Sequence, residues 1–194
     1  MIILHLSDTH GLHHQLKNLP AADVIIHSGD ISHNGTEEEV LDFLNWFIDL
    51  PYKHKLFVTG NHDMCLWDAE NIEDLPDNLH FLQDRSVVIE GVTFFGLGYF
   101  HSEELIPDEA DVVITHEPPE LILDESAGMH WGNPAIRDRI YEVRPRYHLF
   151  GHVHDGYGSL KHDGIVFSNA SLLDECNKLM HQPRRFSIKK LETA

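Results

Sequence analysis

Five short polar blocks gather residue types that bind metal ions: Ser7-Asp8-Thr9-His10, His27-Ser28-Gly29-Asp30, Gly60-Asn61-His62-Asp63, His116-Glu117-Pro118 and Gly151-His152-Val153-His154. Together they offer carboxylates, imidazoles and an amide oxygen but no thiolate. That mixed N/O set suits Mn, Fe, Zn, Ni or Co better than an all-oxygen calcium site. Asp8 and His10 stand two apart, as do His152 and His154, so at a strand end both members of each pair can point into one crevice. A single His or Asp at a strand end is more often a cap or a satisfied turn residue. No structural need explains five such ends together, and their coincidence reads as a dinuclear metal site.

Positioning them falls to the apolar, β-branched runs that precede them. Residues 2–6, 24–26, 55–59, 112–115 and 147–150 read as strands, each running directly into one block. In open α/β sheets the ligand crevice lies beyond the carboxyl ends of strands, so the five blocks can converge. Further strands are expected over 87–90, 92–96, 165–168 and 186–190. Several runs are continuously apolar, as in strands covered on both faces, which implies a layered core. Gly29, Gly60 and Gly151 each precede a polar residue and would permit a sharp turn there.

Thr36-Glu37-Glu38-Glu39 is a capping box, and Val40, Phe43, Leu44, Phe47 and Ile48 follow one helical face until Pro51. Asn133-Pro134 starts a second helix over 135–142, ahead of Pro145. A third helix is expected over 11–19. Gly91 alone between two strands suggests a tight hairpin, and 98–110 and 117–132 read as loops. With no repeat or linker, residues 1–194 read as a single α/β domain.

Composition narrows the partners. Against 14 Lys and Arg stand 32 Asp and Glu, a net charge of −18, which repels long duplex nucleic acid unless cations are bound locally. Two cysteines, Cys65 and Cys176, cannot build a disulfide framework and suit a reducing compartment. The opening residues lack a basic region and a long apolar run, so a cytoplasmic protein without a membrane partner is expected. Asn169-Ala170-Ser171 matches a glycosylation acceptor, a pattern discounted in such a compartment.

Asp-x-His, Gly-Asp, Gly-Asn-His-Asp, a lone His and Gly-His-x-His occur in that order from Asp8 to His154. In this the sequence resembles the calcineurin-like metallophosphoesterase superfamily. Residues 143–158 and Asn169-Ala170-Ser171 are similar to the branch of small metallophosphoesterase-domain-containing phosphodiesterases. Animal members of that branch lose one histidine of Gly-His-x-His; His152 and His154 are both present here. The resemblance implies an α/β/β/α sandwich of two mixed sheets flanked by helices. It also implies two divalent cations, manganese first, with iron, nickel, zinc, cobalt or magnesium as alternatives.

On the superfamily pattern Asp8, His10, Asp30 and His154 would hold one ion, and Asp30, Asn61, His116 and His152 the other. Asp30 would bridge ions ~3.5–4 Å apart, and a bridging water whose pKa falls from ~16 towards ~7 would supply hydroxide for in-line attack on phosphorus. Two divalent ions outweigh two Asp ligands, so the pocket attracts the phosphate that the overall charge repels. His62 would protonate the departing oxygen, with Asp63 orienting it. His5, His27 and His33 lie close in sequence to ligands and could support them, whereas His13, His14, His54, His80, His101, His130, His148, His162 and His181 show no ligand spacing. Trp131 and Tyr99 could stack on a nucleobase or pack, and Glu117 could orient His116 or face solvent.

No Arg or Lys sits in any of the five blocks, although a monoester dianion is usually gripped by an Arg fork. This absence, together with the branch resemblance, makes hydrolysis of a small phosphodiester the expected reaction, cyclic nucleotides and small aryl-like diesters being the candidates. Arg137, Arg139, Arg144 and Arg146 could still reach the crevice. A phosphomonoesterase, a nuclease trimming nucleic-acid ends and a non-catalytic scaffold are the competing readings.

Overall fold

The computed structural model describes residues 1–189. Eleven of its strands form two mixed sheets. The first has the order β13-β1-β2-β3-β4, from β1 (Ile2–Leu6), β2 (Val24–His27), β3 (His54–Phe57), β4 (Leu79–Phe81) and β13 (Arg184–Ser187). Only β13 runs antiparallel. The second has the order β11-β12-β10-β7-β6-β5, from β5 (Arg85–Ile89), β6 (Val92–Gly96), β7 (Val112–Ile114), β10 (Tyr147–Phe150), β11 (Gly158–His162) and β12 (Ile165–Asn169). Here the two edge strands are antiparallel and the inner four parallel. A two-residue hairpin, β8 (Glu125–Ser126) and β9 (Met129–His130), stands apart.

Alternate residues of the apolar strands feed different layers, so both faces of these strands carry apolar side chains. Ile3, Val24, Ile26 and Leu56 face Phe94, Val112, Ile114 and Leu149 between the sheets. Leu4, Ile25 and Phe57 point outward onto Val40, Phe43, Leu44 and Phe47 of α1 (Glu37–Asp49). Phe95, Val113, Phe150 and Phe167 point the other way onto Ile136 and Ile140 of α2 (Pro134–Val143). The result is the α/β/β/α sandwich.

Both helix starts follow their caps. The Glu39 amide donates to the Thr36 hydroxyl while Glu39 accepts from the Thr36 amide, and the Asn133 side chain accepts from the Ala135 and Ile136 amides. The helix expected over 11–19 is reduced to one short turn, His13–Gln15, because Asn18 adopts a left-handed φ of 57° and Pro20 follows. Gly91 does not turn the hairpin alone. Ile89 pairs with Val92, and Glu90 and Gly91 both have positive φ (51° and 77°), the two-residue turn that suits strand twist. The segments 98–110 and 117–132 hold a short helical turn, Glu103–Leu105, and the β8–β9 hairpin. Strands β4 and β11 had no counterpart in the sequence reading. The strand expected over 186–190 lies at Arg184–Ser187, and Lys190 falls outside the described residues.

Candidate metal centre

β1, β2 and β3 of one sheet and β7 and β10 of the other run into the five polar blocks. The sheets are stitched together at this end: the Ser7 amide donates to the Ala170 carbonyl, and the Leu172 amide to the Ser7 carbonyl, both at 3.0 Å. Beyond this seam the structure brings Asp8, His10, Asp30, Asn61, His116, His152 and His154 together.

Asp30 occupies the middle. Its Oδ2 lies 3.5 Å from His10 Nε2 and 3.3 Å from His116 Nε2, while its Oδ1 accepts from the His62 amide at 2.8 Å. On one side Asp8 Oδ1 stands 3.5 Å from His154 Nε2 and 4.0 Å from His10 Nε2. On the other, Asn61 Oδ1 stands 2.9 Å from both His116 Nε2 and His152 Nδ1. Two donor clusters therefore share one carboxylate. Two of the second nitrogens are tied to backbone: His116 Nδ1 pairs with the Ser28 carbonyl at 2.9 Å, and His154 Nδ1 with the Asp174 carbonyl at 3.0 Å.

These residues fit a cation. His10 is buried, yet neither of its ring nitrogens has a hydrogen-bond partner, and a metal would give Nε2 one. Asp8 and Asp30 are buried carboxylates facing imidazoles, a set that demands positive charge. Burial works against ionising Asp8, but His154, His116 and His10 hold its carboxyl well below the usual range. Asp30 is likewise lowered, against burial, chiefly by His116. In return, and again against burial, Asp30 pushes His116 up to about 10, and Asp8 raises His154 to about 9. Burial and the neighbouring His116 push His152 down to about 4. Protons on His116 and His154 thus balance the carboxylates, and an ion bound through the same atoms would displace them.

The backbone is strained where the donors sit. Asp8, His10, Asp30 and His152 hold left-handed φ values of 54°, 41°, 56° and 69°, at ~1–3 kcal/mol each. Of the three glycines before polar residues only Gly29 (φ 101°) uses a left-handed turn. Gly60 and Gly151 serve close packing instead, since a Cβ would overlap Asp30 Oδ1 at the first, and Ser7 Oγ and Asp8 Oδ2 at the second.

His62 lines the cleft, edge-on to His10 at 4.6 Å between ring centroids, and its Nδ1 donates to the His33 carbonyl at 2.7 Å. Asp63 does not orient it. The Asp63 carboxylate accepts from the amides of Asp30, Ile31, Ser32 and Gly60 and from the Ser32 hydroxyl, at 2.7–3.3 Å, and so ties two blocks to each other. Burial and the nearby Asp30 push its carboxyl up to about 6.

Supporting residues surround the donors: His5 and His27 were expected to be among them, whereas the contacts of Ser171, Asn169 and His148 were not. Ser171 Oγ donates to Asp8 Oδ2 at 2.8 Å, and Asn169 Nδ2 donates to the Val153 carbonyl at 2.8 Å, so this tripeptide props the site. Asn169 is fully buried, its side-chain amide donating to the carbonyls of Leu123, Gly151 and Val153. Beneath the donors lies a seam of buried histidines. His5 pairs with Ser28 and Ser168, His27 with Thr9, and His148 with Thr115, all at 2.9–3.0 Å.

Above the donors opens a cleft of about 370 Å³, walled by Ser126, Trp131, Asp155, Glu175 and Asn177. Among the described residues no Arg or Lys lines it. Arg137 pairs with Glu120 and Asp138, Arg139 with Asp108 and Glu142, Arg144 with the Asp163 carbonyl and Arg146 with Asp111. Tyr99 packs edge-on to His116 rather than lining the cleft, and Glu117 accepts from the Asn133 side chain at 3.3 Å. No described helix is long and apolar enough to cross a membrane.

The Calcineurin-like phosphoesterase family model matches residues 1–156. A UPF0046 protein of Caenorhabditis elegans is 33% identical over 97% of this chain and 75% of its own. Metallophosphoesterase domain-containing protein 1 of Homo sapiens is 29% identical over 86% of this chain and 64% of its own. A probable glycerophosphodiester phosphodiesterase of Arcobacter nitrofigilis is 28% identical over 88% and 78%. Among solved structures, a crystal structure is similar in fold with a TM-score of 0.63 at 17% identity, covering 87% of this chain and 89% of its own. With the blocks, the layered sheets and these likenesses in agreement, the chain belongs to the calcineurin-like phosphoesterase family, hydrolases of phosphoric esters.

Proposed function

We propose that the chain, acting as one cytoplasmic domain over residues 1–194, is a two-metal phosphodiesterase for small phosphodiesters, cyclic nucleotides among them. The observation that carries the diester is the wall of the cleft: Asp155 and Glu175 on it, and no Arg or Lys among the described lining residues. A monoester dianion is held by a cationic fork, whereas a diester brings one charge and needs less. The relative from Arcobacter nitrofigilis bears the name of a probable phosphodiesterase, which agrees.

Asp8, His10, Asp30 and His154 would hold one divalent ion, and Asp30, Asn61, His116 and His152 the second, manganese being the first choice for this N/O set. Bound there, such a pair supplies hydroxide at neutral pH and Lewis-acid neutralisation of phosphoryl oxygens. Asp30 is suited to sharing, because Oδ1 is fixed by the His62 amide while Oδ2 faces imidazoles on both sides. His62 has Nδ1 committed to the His33 carbonyl, so Nε2 is the atom that gives a proton to the departing oxygen. Ser171 and the His152 amide, 2.8 and 3.1 Å from Asp8 Oδ2, keep that carboxylate from rotating.

The test is turnover of bis-p-nitrophenyl phosphate against p-nitrophenyl phosphate by protein stripped of metal and reloaded with Mn²⁺. A higher kcat/KM for the diester is expected. Cleavage of the monoester alone would overturn the reading.

A further inference from the structure

Two of the histidines without ligand spacing, His13 and His14, sit on the short turn that follows the His10 loop and meet Asp42 of α1. Asp42 Oδ2 lies 3.2 Å from His13 Nε2 and 3.1 Å from His14 Nε2. One donor atom from each of the three residues lies within 4.8 Å of the others. This cluster shares no residue with the candidate metal centre.

An exposed His–Asp pair, worth ~0–1 kcal/mol, accounts for His14 and Asp42 alone. It leaves His13 unexplained. That ring is fully buried, packed against Trp46 and Phe43 at 5.0 and 5.6 Å between centroids, and neither of its nitrogens has a hydrogen-bond partner. The Asp42 oxygen is close to His13 Nε2 but off the line an N–H would take. Atoms bound to one tetrahedral ion at ~2.0–2.1 Å stand ~3.3 Å apart without pointing at each other. The 3.2 and 3.1 Å separations from Asp42 match donors around one such ion, and all three donor atoms lie within 4.8 Å of one another. Burial and the adjacent His14 push His13 down to about 4, which leaves its lone pair free at neutral pH. His14 and Asp42, with side chains 58% and 56% exposed, leave the site open to solvent.

We propose that His13, His14 and Asp42 form a zinc site outside the candidate metal centre, with solvent completing the coordination. Two imidazoles and one carboxylate are a zinc donor set. An ion there clamps the turn that follows His10 onto α1, making it a structural clasp rather than a place for substrate.

The test counts zinc. Chelator-stripped protein is equilibrated with zinc chloride, desalted and assayed for bound metal and for thermal unfolding, beside His14→Ala and Asp42→Asn, both at exposed positions. Each variant should hold one zinc equivalent fewer than the parent and show a smaller zinc-induced rise in Tm. Asp30→Asn, which addresses only the candidate metal centre, should keep this equivalent, so failure of the phosphodiesterase reading is separable from failure of this one. Zinc contents of His14→Ala and Asp42→Asn equal to that of the parent would overturn the proposal.

Discussion

On the floor of the cleft one carboxylate, Asp63, accepts five hydrogen bonds, and His5, His27 and His148 are each held by a hydroxyl. On the outer wall Trp131 is 55% exposed and rests on the Ser126 carbonyl at 3.3 Å, at the end of a hairpin of two-residue strands. The floor is over-determined and the wall barely determined. Rigid, buried polar networks suit groups that must hold charge in fixed geometry, whereas an exposed hairpin suits groups that choose among substrates.

The largest effect should come from the centre of the floor. Asp30→Asn removes the shared carboxylate and should lower diesterase turnover by ~10³-fold or more, with loss of bound Mn²⁺ by elemental analysis. Full retention of metal would break the assignment of Asp30 as the shared ligand. Asp63→Ala strands five donors and should reduce unfolding free energy by about 3–5 kcal/mol in urea. A stable but inactive Asp63→Ala protein would instead return Asp63 to a role on His62.

His62→Ala should keep its metals and lose ~10²-fold in kcat, less for p-nitrophenol, which departs readily, than for an alkyl alcohol. Equal losses for both leaving groups would remove the proton-donor role. Acid should loosen the floor next. Burial pushes His5 and His148 down to about 3 from their ordinary 6.5, so the folded state excludes protons that the unfolded chain accepts. The stability these residues support is whole above pH 6.5 and lost as pH falls towards 3. At pH 5 that is about 2 kcal/mol for each, readable as a lower urea midpoint of metal-free protein than at pH 7. Smallest of all, Trp131→Ala should raise KM about fivefold and leave kcat nearly unchanged. A fall in kcat instead would move the wall into the chemistry.

The same contrast explains what could be read from the amino-acid order. Asp8, His10, Asp30, Asn61, His116, His152 and His154 announce themselves because each is a metal-binding type placed at the end of an apolar run. Thr36 and Asn133 announce the two helices through local capping chemistry, which needs only neighbouring residues. The work of Asp63 is hidden because its partners are backbone amides, identical for every residue type. Gly60 and Gly151 were expected to turn the chain, but what they supply is the absence of a side chain beside a carboxylate, visible only once the strands are side by side. His13, His14 and Asp42 are joined by packing between two elements rather than by spacing. Strands β4 and β11 take their form from the neighbours they pair with.

Asp8 is closed over by the amide of His152 and the hydroxyl of Ser171, 144 and 163 positions downstream, and His154 leans on the carbonyl of Asp174. Without His152, Ser171 and Asp174 the Asp8 carboxylate and the His154 ring would lose these donors and props. The donor cluster therefore takes shape only when segments more than 140 positions apart have met, so its order reports long-range folding rather than local structure.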